Sequence, residues 1–279
     1  MIRFSCSDYT FPLLTRRQSL QLIRLLEFDF VDLGLFARSA ELSPRLLVSN
    51  GEAFARSLKR DLSDAGLSVS DLFLQIGAHP GESAANDPSE AVRNTNRDVF
   101  RRSLDLCAEL GCVHLTGLPG VWHQDASAEQ DSLIAAEEAR WRVQVANHAG
   151  IQYAIEPHIG SLCGSVASTQ HLLSAAPGLT LTLDYGHFVA ESEAPNAIHA
   201  LLPFASHIHA RGGAEGRLQA SVAENEIDFA DIMRSLRKMD YAGFIALEYV
   251  WVDWKDCNRV DNISETILLR RWLQELNDV

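Results

Sequence analysis

Several absences narrow the reading of this 279-residue chain. Its five cysteines (Cys6, Cys107, Cys112, Cys163 and Cys257) are odd in number, and none belongs to a Cys-x-x-Cys pair. Such a pattern predicts reduced, mostly buried thiols in a cytoplasmic protein rather than a disulfide framework. No apolar run approaches the ~20 residues that span a bilayer, so no membrane partner is expected. The start of the chain, Met1-Ile2-Arg3-Phe4-Ser5-Cys6, runs into a strand and carries no signal-peptide core. Positive charge is also short: 24 Lys and Arg stand against 37 Asp and Glu, for a formal charge of −13. Nucleic-acid affinity grows with the number of phosphates neutralised, so the balance argues against such a partner. No Gly-x-Gly-x-x-Gly follows the first strand, and no low-complexity linker divides the chain.

The chain does have the makeup of an ordinary globular protein, 47% hydrophobic and 22% charged. Strand and helix signals alternate along it. Ile2–Ser5 reads as a strand and Thr15–Glu27 as a helix; Phe30–Leu35 as a strand and Ser43–Asp64 as a helical stretch. Leu72–Ile76 precedes a helix at Ser89–Leu110, and Cys112–Thr116 precedes one at Ala128–His148. Ile151–Ile155 pairs with Ser165–Ala176, and Leu179–Leu183 with Pro195–Leu202. Phe204–His209 is followed by Asp228–Met239, and Phe244–Glu248 by Asn262–Asn277. The strands are short and apolar, as strands buried on both faces are. Eight such units predict one α/β domain over residues 1–279, a (β/α)8 TIM barrel, with a doubly wound open sheet as the competitor.

The placing of polar residues favours the barrel. Ile155-Glu156-Pro157-His158, Leu183-Asp184-Tyr185-Gly186-His187, His207-Ile208-His209-Ala210-Arg211 and Leu247-Glu248-Tyr249 each stand at the C-terminal end of an apolar run. Barrel active sites form at that end. A Glu, an Asp, a His and a Glu from four strands are a ligand set for one divalent metal. Alternation puts His158 on the face of Glu156, and His207, His209 and Arg211 on one face.

Around this set are residues with weaker signals. His187 suits a substrate hydrogen bond or a plain helix start. His79, in Gly77-Ala78-His79-Pro80, suits a loop as well as a site. His114 reads as a buried, hydrogen-bonded core residue, His123 as a mouth residue, and His148, His171 and His199 as outer-surface residues. Arg211 to Arg217 encloses three glycines and two arginines, a composition that could hold an anion or a polyhydroxyl group. Trp251 and Trp254 suit a sugar face or a dimer contact, which leaves a homo-oligomer open.

On these residues the chain resembles the xylose-isomerase-like barrels, a superfamily of sugar isomerases and epimerases, hydroxypyruvate isomerase, inosose dehydratase and endonuclease IV. Glu156-Pro157 looks like its strand-five metal Glu, Asp184-Tyr185-Gly186-His187 like its Asp-x-x-His, and His209 and Glu248 like its last two ligands. The Asp that usually follows the Lys or Arg of strand seven is absent; Gly212 stands there. Endonuclease IV needs further histidines for three zinc ions, and Leu118 occupies one of those places. The resemblance therefore implies a one-metal isomerase or epimerase of a small sugar or hydroxy-ketone, acting through an enediolate. Glu156, Asp184, His209 and Glu248 would hold Mn²⁺ or Mg²⁺, with Zn²⁺ or Co²⁺ as lesser fits. Glu156 and Glu248 would move the protons. His187, Arg211, His158, Arg217 and His79 would meet the carbohydrate. A keto-inositol or keto-sugar dehydratase is the alternative, and an endonuclease-like phosphodiesterase the more distant one.

Overall fold

The computed structural model describes residues 2–278. Eight parallel strands close into a barrel: β1 (Arg3–Ser7), β2 (Phe30–Phe36), β3 (Ser68–Gln75), β4 (His114–Gly117), β5 (Gln152–Ile155), β6 (Thr180–Asp184), β7 (Ala205–Ala210) and β10 (Phe244–Leu247). They follow one another round the ring in chain order, and β10 closes it against β1. Helices α1 (Arg16–Leu25), α2 (Pro44–Ala65), α3 (Glu90–Leu110), α4 (Ala128–His148), α5 (Val166–Ala175), α6 (Tyr185–Ala190), α7 (Pro195–His199), α8 (Phe229–Lys238) and α9 (Asn262–Asn277) lie between the strands and after the last. This is the expected (β/α)8 barrel. Local chemistry sets the helix ends. Thr15 and Ser165 close capping boxes on Gln18 and Ser168, and Gly66 and Gly111 end α2 and α3 in left-handed conformation.

Apolar packing is concentrated outside the strands. On β2, Val31, Leu33 and Leu35 are fully buried, and Asp32, between Val31 and Leu33, is fully buried as well. Asp32 points inward, because it meets His207 of β7 across the ring at 2.6 Å. Other interior pairs also join strands that are not neighbours: Thr116 to Thr182 at 2.6 Å, and His114 to Ser206 at 2.8 Å. The barrel thus has a polar filling, and the outward-facing leucines pack beneath the helices.

Two bulges build that filling. The β2–β3 register runs from Val31↔Val69 to Asp32↔Asp71, which makes Ser70 an extra residue. The β6–β7 register runs from Leu181↔Ala205 to Thr182↔His207, which makes Ser206 another. A bulge re-aims the side chains beyond it. Here one sets Asp71 opposite Asp32, and the other sets His207 opposite Thr182 and His209 opposite Asp184.

Beyond β7 the chain forms a hairpin, β8 (Gly212–Ala214) and β9 (Arg217–Ala220), in the glycine-rich segment that the sequence offers as an anion or polyhydroxyl contact. Glycine is required at 212: a Cβ would lie 2.5 Å from the Ala220 carbonyl oxygen and 2.8 Å from Tyr249 Oη. The Gly212 N–H donates to that hydroxyl at 2.8 Å. The five cysteines are free and buried, and among the described residues no helix is long and apolar enough to cross a membrane.

Candidate active site

Glu156 follows β5, Asp184 and His209 lie at the ends of β6 and β7, and Glu248 follows β10; all four side chains are buried. His209 is the hub. Its Nδ1 lies 2.6 Å from Glu156 Oε1 and 3.5 Å from Glu248 Oε1. Its Nε2 lies 3.5 Å from Asp32 Oδ2 and from Tyr9 Oη. Burial disfavours an imidazolium, but Glu248 and Glu156, with Asp32 behind, hold His209 well above the usual histidine range. Burial likewise raises carboxyls. At Glu248 it prevails, and the group is pushed up despite His209 and Arg211; at Glu156 the adjacent His209 prevails and the carboxyl is held down.

The four expected metal ligands do not form one tight group. Ligand atoms of Glu156, His209 and Glu248 lie within 4.8 Å of one another, and those of Glu156, Asp184 and His187 form a second such group. Glu156 is common to both, and Arg211 stands between Asp184 and Glu248. Its Nε donates to Asp184 Oδ2 at 2.9 Å, its Nη2 donates to the same oxygen, and that Nη2 lies 3.3 Å from Glu248 Oε2. Asp184 Oδ1 accepts from the Gly186 N–H at 2.7 Å.

A divalent cation fits this donor set. Glu248 Oε2 is buried and has no hydrogen-bond partner among the described residues. When ionised, the three carboxylates outweigh the Arg211 guanidinium whether or not His209 carries a proton. A carboxylate has about four lone-pair positions, so Asp184 can keep Arg211 and Gly186 and still accept a further ligand.

His187 lies against Trp254, with ring centroids 6.0 Å apart. Its Nε2 is 3.2 Å from Arg211 Nη2, and its Nδ1 is 3.3 Å from the Ile159 N–H. A neutral imidazole accepts at one nitrogen only, so just one of these contacts is a hydrogen bond. Burial pulls His187 down to about 4, which keeps it neutral. His158 is lowered by burial too, and its Nδ1 has no partner among the described residues.

A cleft of about 1040 Å³ opens over these groups, and Glu156, His158, His187, Arg211 and Glu248 line its floor. His79 lines the wall, as does Leu118. Arg217, expected to meet substrate, is not brought there. It sits at the exposed start of β9 and pairs with Glu224 at 3.0 Å, because the hairpin carries it away from the mouth. His123 pairs with Asp131 at 2.7 Å, and His114 is the expected core residue, bound to Asp71 at 2.6 Å and to Ser206. His148 and His171 are exposed, while His199 is half-buried against Ser235.

Sequence reasoning missed Asp32, Asp71 and Tyr9. Asp32 Oδ1 accepts from Ser5 Oγ at 2.8 Å and from Ser70 Oγ, while Oδ2 serves His207 and approaches His209. Burial would raise this carboxyl, but His207 and His209 hold it far below the usual range. The available signal was a lone Asp in an otherwise apolar strand, Phe30-Val31-Asp32-Leu33.

The model of the xylose isomerase-like TIM barrel family matches residues 20–276, and the chain belongs to that family. No curated protein matches it in sequence. Among solved structures it is similar to a 3-keto-D-glucoside 4-epimerase from E. coli, with 17% identity, TM-score 0.73, and 99% of this chain and 100% of that one covered. It is similar to a D-psicose 3-epimerase from Clostridium cellulolyticum H10, with 14% identity, TM-score 0.75, and 99% of each chain covered. A probable 3-DHS dehydratase from Bacillus anthracis shares 16% identity at TM-score 0.68, over 96% of this chain and 99% of that one.

Proposed function

We propose that this protein is a divalent-metal-dependent epimerase or isomerase of a keto-sugar or related hydroxy-ketone. One observation carries the reading. Two buried glutamates, from strands three steps apart round the ring, converge on His209 Nδ1 at the floor of a cleft. Binding alone does not require a paired acid and base. Glu156, Asp184, His209 and Glu248 would hold the cation, which supplies Lewis-acid polarisation of a carbonyl. Mn²⁺ or Mg²⁺ suits this oxygen-rich set.

One glutamate takes the proton from the carbon alpha to the carbonyl. The C–H electron pair enters the enediolate, whose charge Arg211 helps to balance. The other glutamate returns a proton. Return to the same carbon on its other face gives the epimer; return to the neighbouring carbon, with the hydroxyl proton passing to the former carbonyl oxygen, gives the isomer. His187, neutral and fixed, offers a ring nitrogen to a substrate hydroxyl, with His158 beside it.

Glu156→Gln and Glu248→Gln test the reading. Each should lose at least ~10²-fold in turnover, the low end for a positioned acid or base, while retaining metal. One variant should still exchange a substrate C–H proton with solvent deuterium without completing the reaction. Near-normal turnover by either variant, with metal content confirmed, would remove the two-glutamate mechanism. A dehydratase shares the first proton transfer, and the likeness to the dehydratase structure keeps that reading alive. It would show as loss of water from the exchanged substrate in place of an epimer.

A further inference from the structure

Outside the barrel, beneath the helices, one buried ion group has its charge out of balance. Glu138 of α4 is 1% exposed, and three guanidiniums meet its carboxylate: Arg97 at 2.6 Å, Arg142 at 2.9 Å and Arg93 at 3.5 Å. Positive charge is therefore in excess. Arg93 and Arg97 keep some contact with solvent, which screens them. Arg142 is 4% exposed, and Glu138 takes only its Nη1. Its Nε and Nη2 find no acceptor among the described residues. The Phe100 ring, 5.6 Å away, answers only part of the charge.

Arg142 lines a cavity of about 40 Å³ under the loop after β3, together with Phe100, Gly117, Leu118 and Tyr153. Tyr153 of β5 is 2% exposed, and its hydroxyl has no hydrogen-bond partner among the described residues. Gly117 makes room for it, since a Cβ there would lie 2.9 Å from Tyr153 Oη. Burial holds this phenol above its usual range despite Arg142, so it keeps its proton and can donate. A buried guanidinium and a buried phenol, both with N–H or O–H to spare, form a donor set that lacks an acceptor. Water satisfies the hydrogen bonds and leaves the charge; an anion satisfies both. The cavity admits roughly one to three water-sized groups, which suits a halide or one carboxylate and excludes a sugar ring.

We propose that this cavity binds a small monovalent anion, a halide or a carboxylate group, between Arg142 and the Tyr153 hydroxyl. The site stands apart from the two glutamates of the floor, yet it is tied to one of them: the Gly117 carbonyl accepts the Glu156 N–H at 3.0 Å. The cavity also shares Gln75, His79 and Leu118 with the cleft, so a carboxylate has two sources, free in solution or carried on a molecule in the cleft.

Thermal unfolding of the whole chain in chloride and in formate tests it, at constant ionic strength with a bulky sulfonate as the balancing anion. Raising at least one of the two from well below its Kd to about thirtyfold above should lift Tm by roughly 3–5 °C. Arg142→Gln and Tyr153→Phe should each cut that rise to under ~1 °C. Tyr153→Phe keeps the ring and deletes only a hydroxyl without a partner, so it decides the matter if Arg142→Gln does not fold. Calorimetric titration of formate and of a hexuronate then separates the sources. A hexuronate that binds at least tenfold tighter than formate, with the advantage lost in Tyr153→Phe, brings its carboxylate in from the cleft; equal affinity assigns the site to a free anion. A Tm flat in both salts means that water alone fills the cavity, and overturns the proposal. A rise that persists in Tyr153→Phe puts the anion elsewhere, and overturns it too.

Discussion

Replacing Asp32 with Asn should damage both the fold and the site, in amounts the geometry sets. Four donors converge on its two oxygens: Ser5 and Ser70 on Oδ1, His207 on Oδ2 at 2.6 Å, and His209 at 3.5 Å. An asparagine keeps one oxygen. Its amide nitrogen must face the serines, whose hydroxyls can turn to accept, so the remaining oxygen faces the imidazoles without charge. A hydrogen bond to a charged group is worth about 1.5–3 kcal/mol and a neutral one about 0.5–1.5. Losing charge on one close and one longer contact costs about 1–3 kcal/mol, or a fall of roughly 2–5 °C in Tm. The Asp32 carboxyl is held far below its ordinary value, so its stabilising contribution is present above the unfolded pKa of about 4 and fades as pH falls below it. The gap between wild type and Asp32→Asn should therefore narrow in acid. His209 also loses the group behind its Nε2, and Mn²⁺ affinity should drop by about 10–100-fold. Thermal unfolding from pH 3 to 8, with Mn²⁺ titration by calorimetry, reads both effects. Asp71→Asn is the control, since Asp71 meets one imidazole and its Oδ2 has no partner among the described residues. Equal losses in the two variants, or unchanged Mn²⁺ affinity in a folded Asp32→Asn, would refute the reasoning.

Other outcomes follow from single residues. Burial and the nearby Asp32 push the Asp8 carboxyl from 3.8 up to about 7, although it accepts from the Gly34 N–H at 2.8 Å. The folded state then binds the proton more tightly, so stability falls as pH rises from about 4 to 7, by a few kcal/mol. Asp8→Asn should lack that slope and gain several degrees of Tm on wild type across the interval; parallel Tm–pH curves would contradict it. Gly212→Asp should be poorly tolerated. With 2.5 Å between the new Cβ and the Ala220 carbonyl oxygen, it should cost at least ~1–3 kcal/mol in denaturant unfolding, and an unchanged midpoint would show that the hairpin yields.

The barrel was legible because its strand–helix rhythm depends on outward-facing Val, Ile and Leu, which the sequence displays openly. Helices capped by strong signals, such as α4 after Ser127, were placed to the residue. β3 was read as starting at Leu72, although it begins at Ser68. Ser70 and Asp71 break the apolar run because they belong to the polar filling, and a bulge there breaks the period of two. The same limit hid Asp32: a partner in β7, 175 residues away, leaves no mark on local pattern. Glu156, Asp184, His209 and Glu248 stood out in the sequence because each lies at the C-terminal end of a strand. Arg217 was expected beside Arg211 because composition does not show that the glycines between them form a paired hairpin, which carries Arg217 to Glu224.

That hairpin has a dynamic consequence. Gln219 of β9 donates to the Val250 carbonyl at 2.9 Å and the Cys257 carbonyl at 2.6 Å, and accepts from the Val250 N–H at 2.8 Å. With Tyr249 bound to Gly212, the segments after β7 and β10 become one cross-linked body. Arg211 and Glu248 stand at its two roots. Their positions are settled when the chain folds, so the entropy of ordering them is not charged again at each encounter with a ligand. In amide hydrogen exchange, Gly212 and Val250 should open only with the barrel itself, while residues of the opposite rim exchange through local motion.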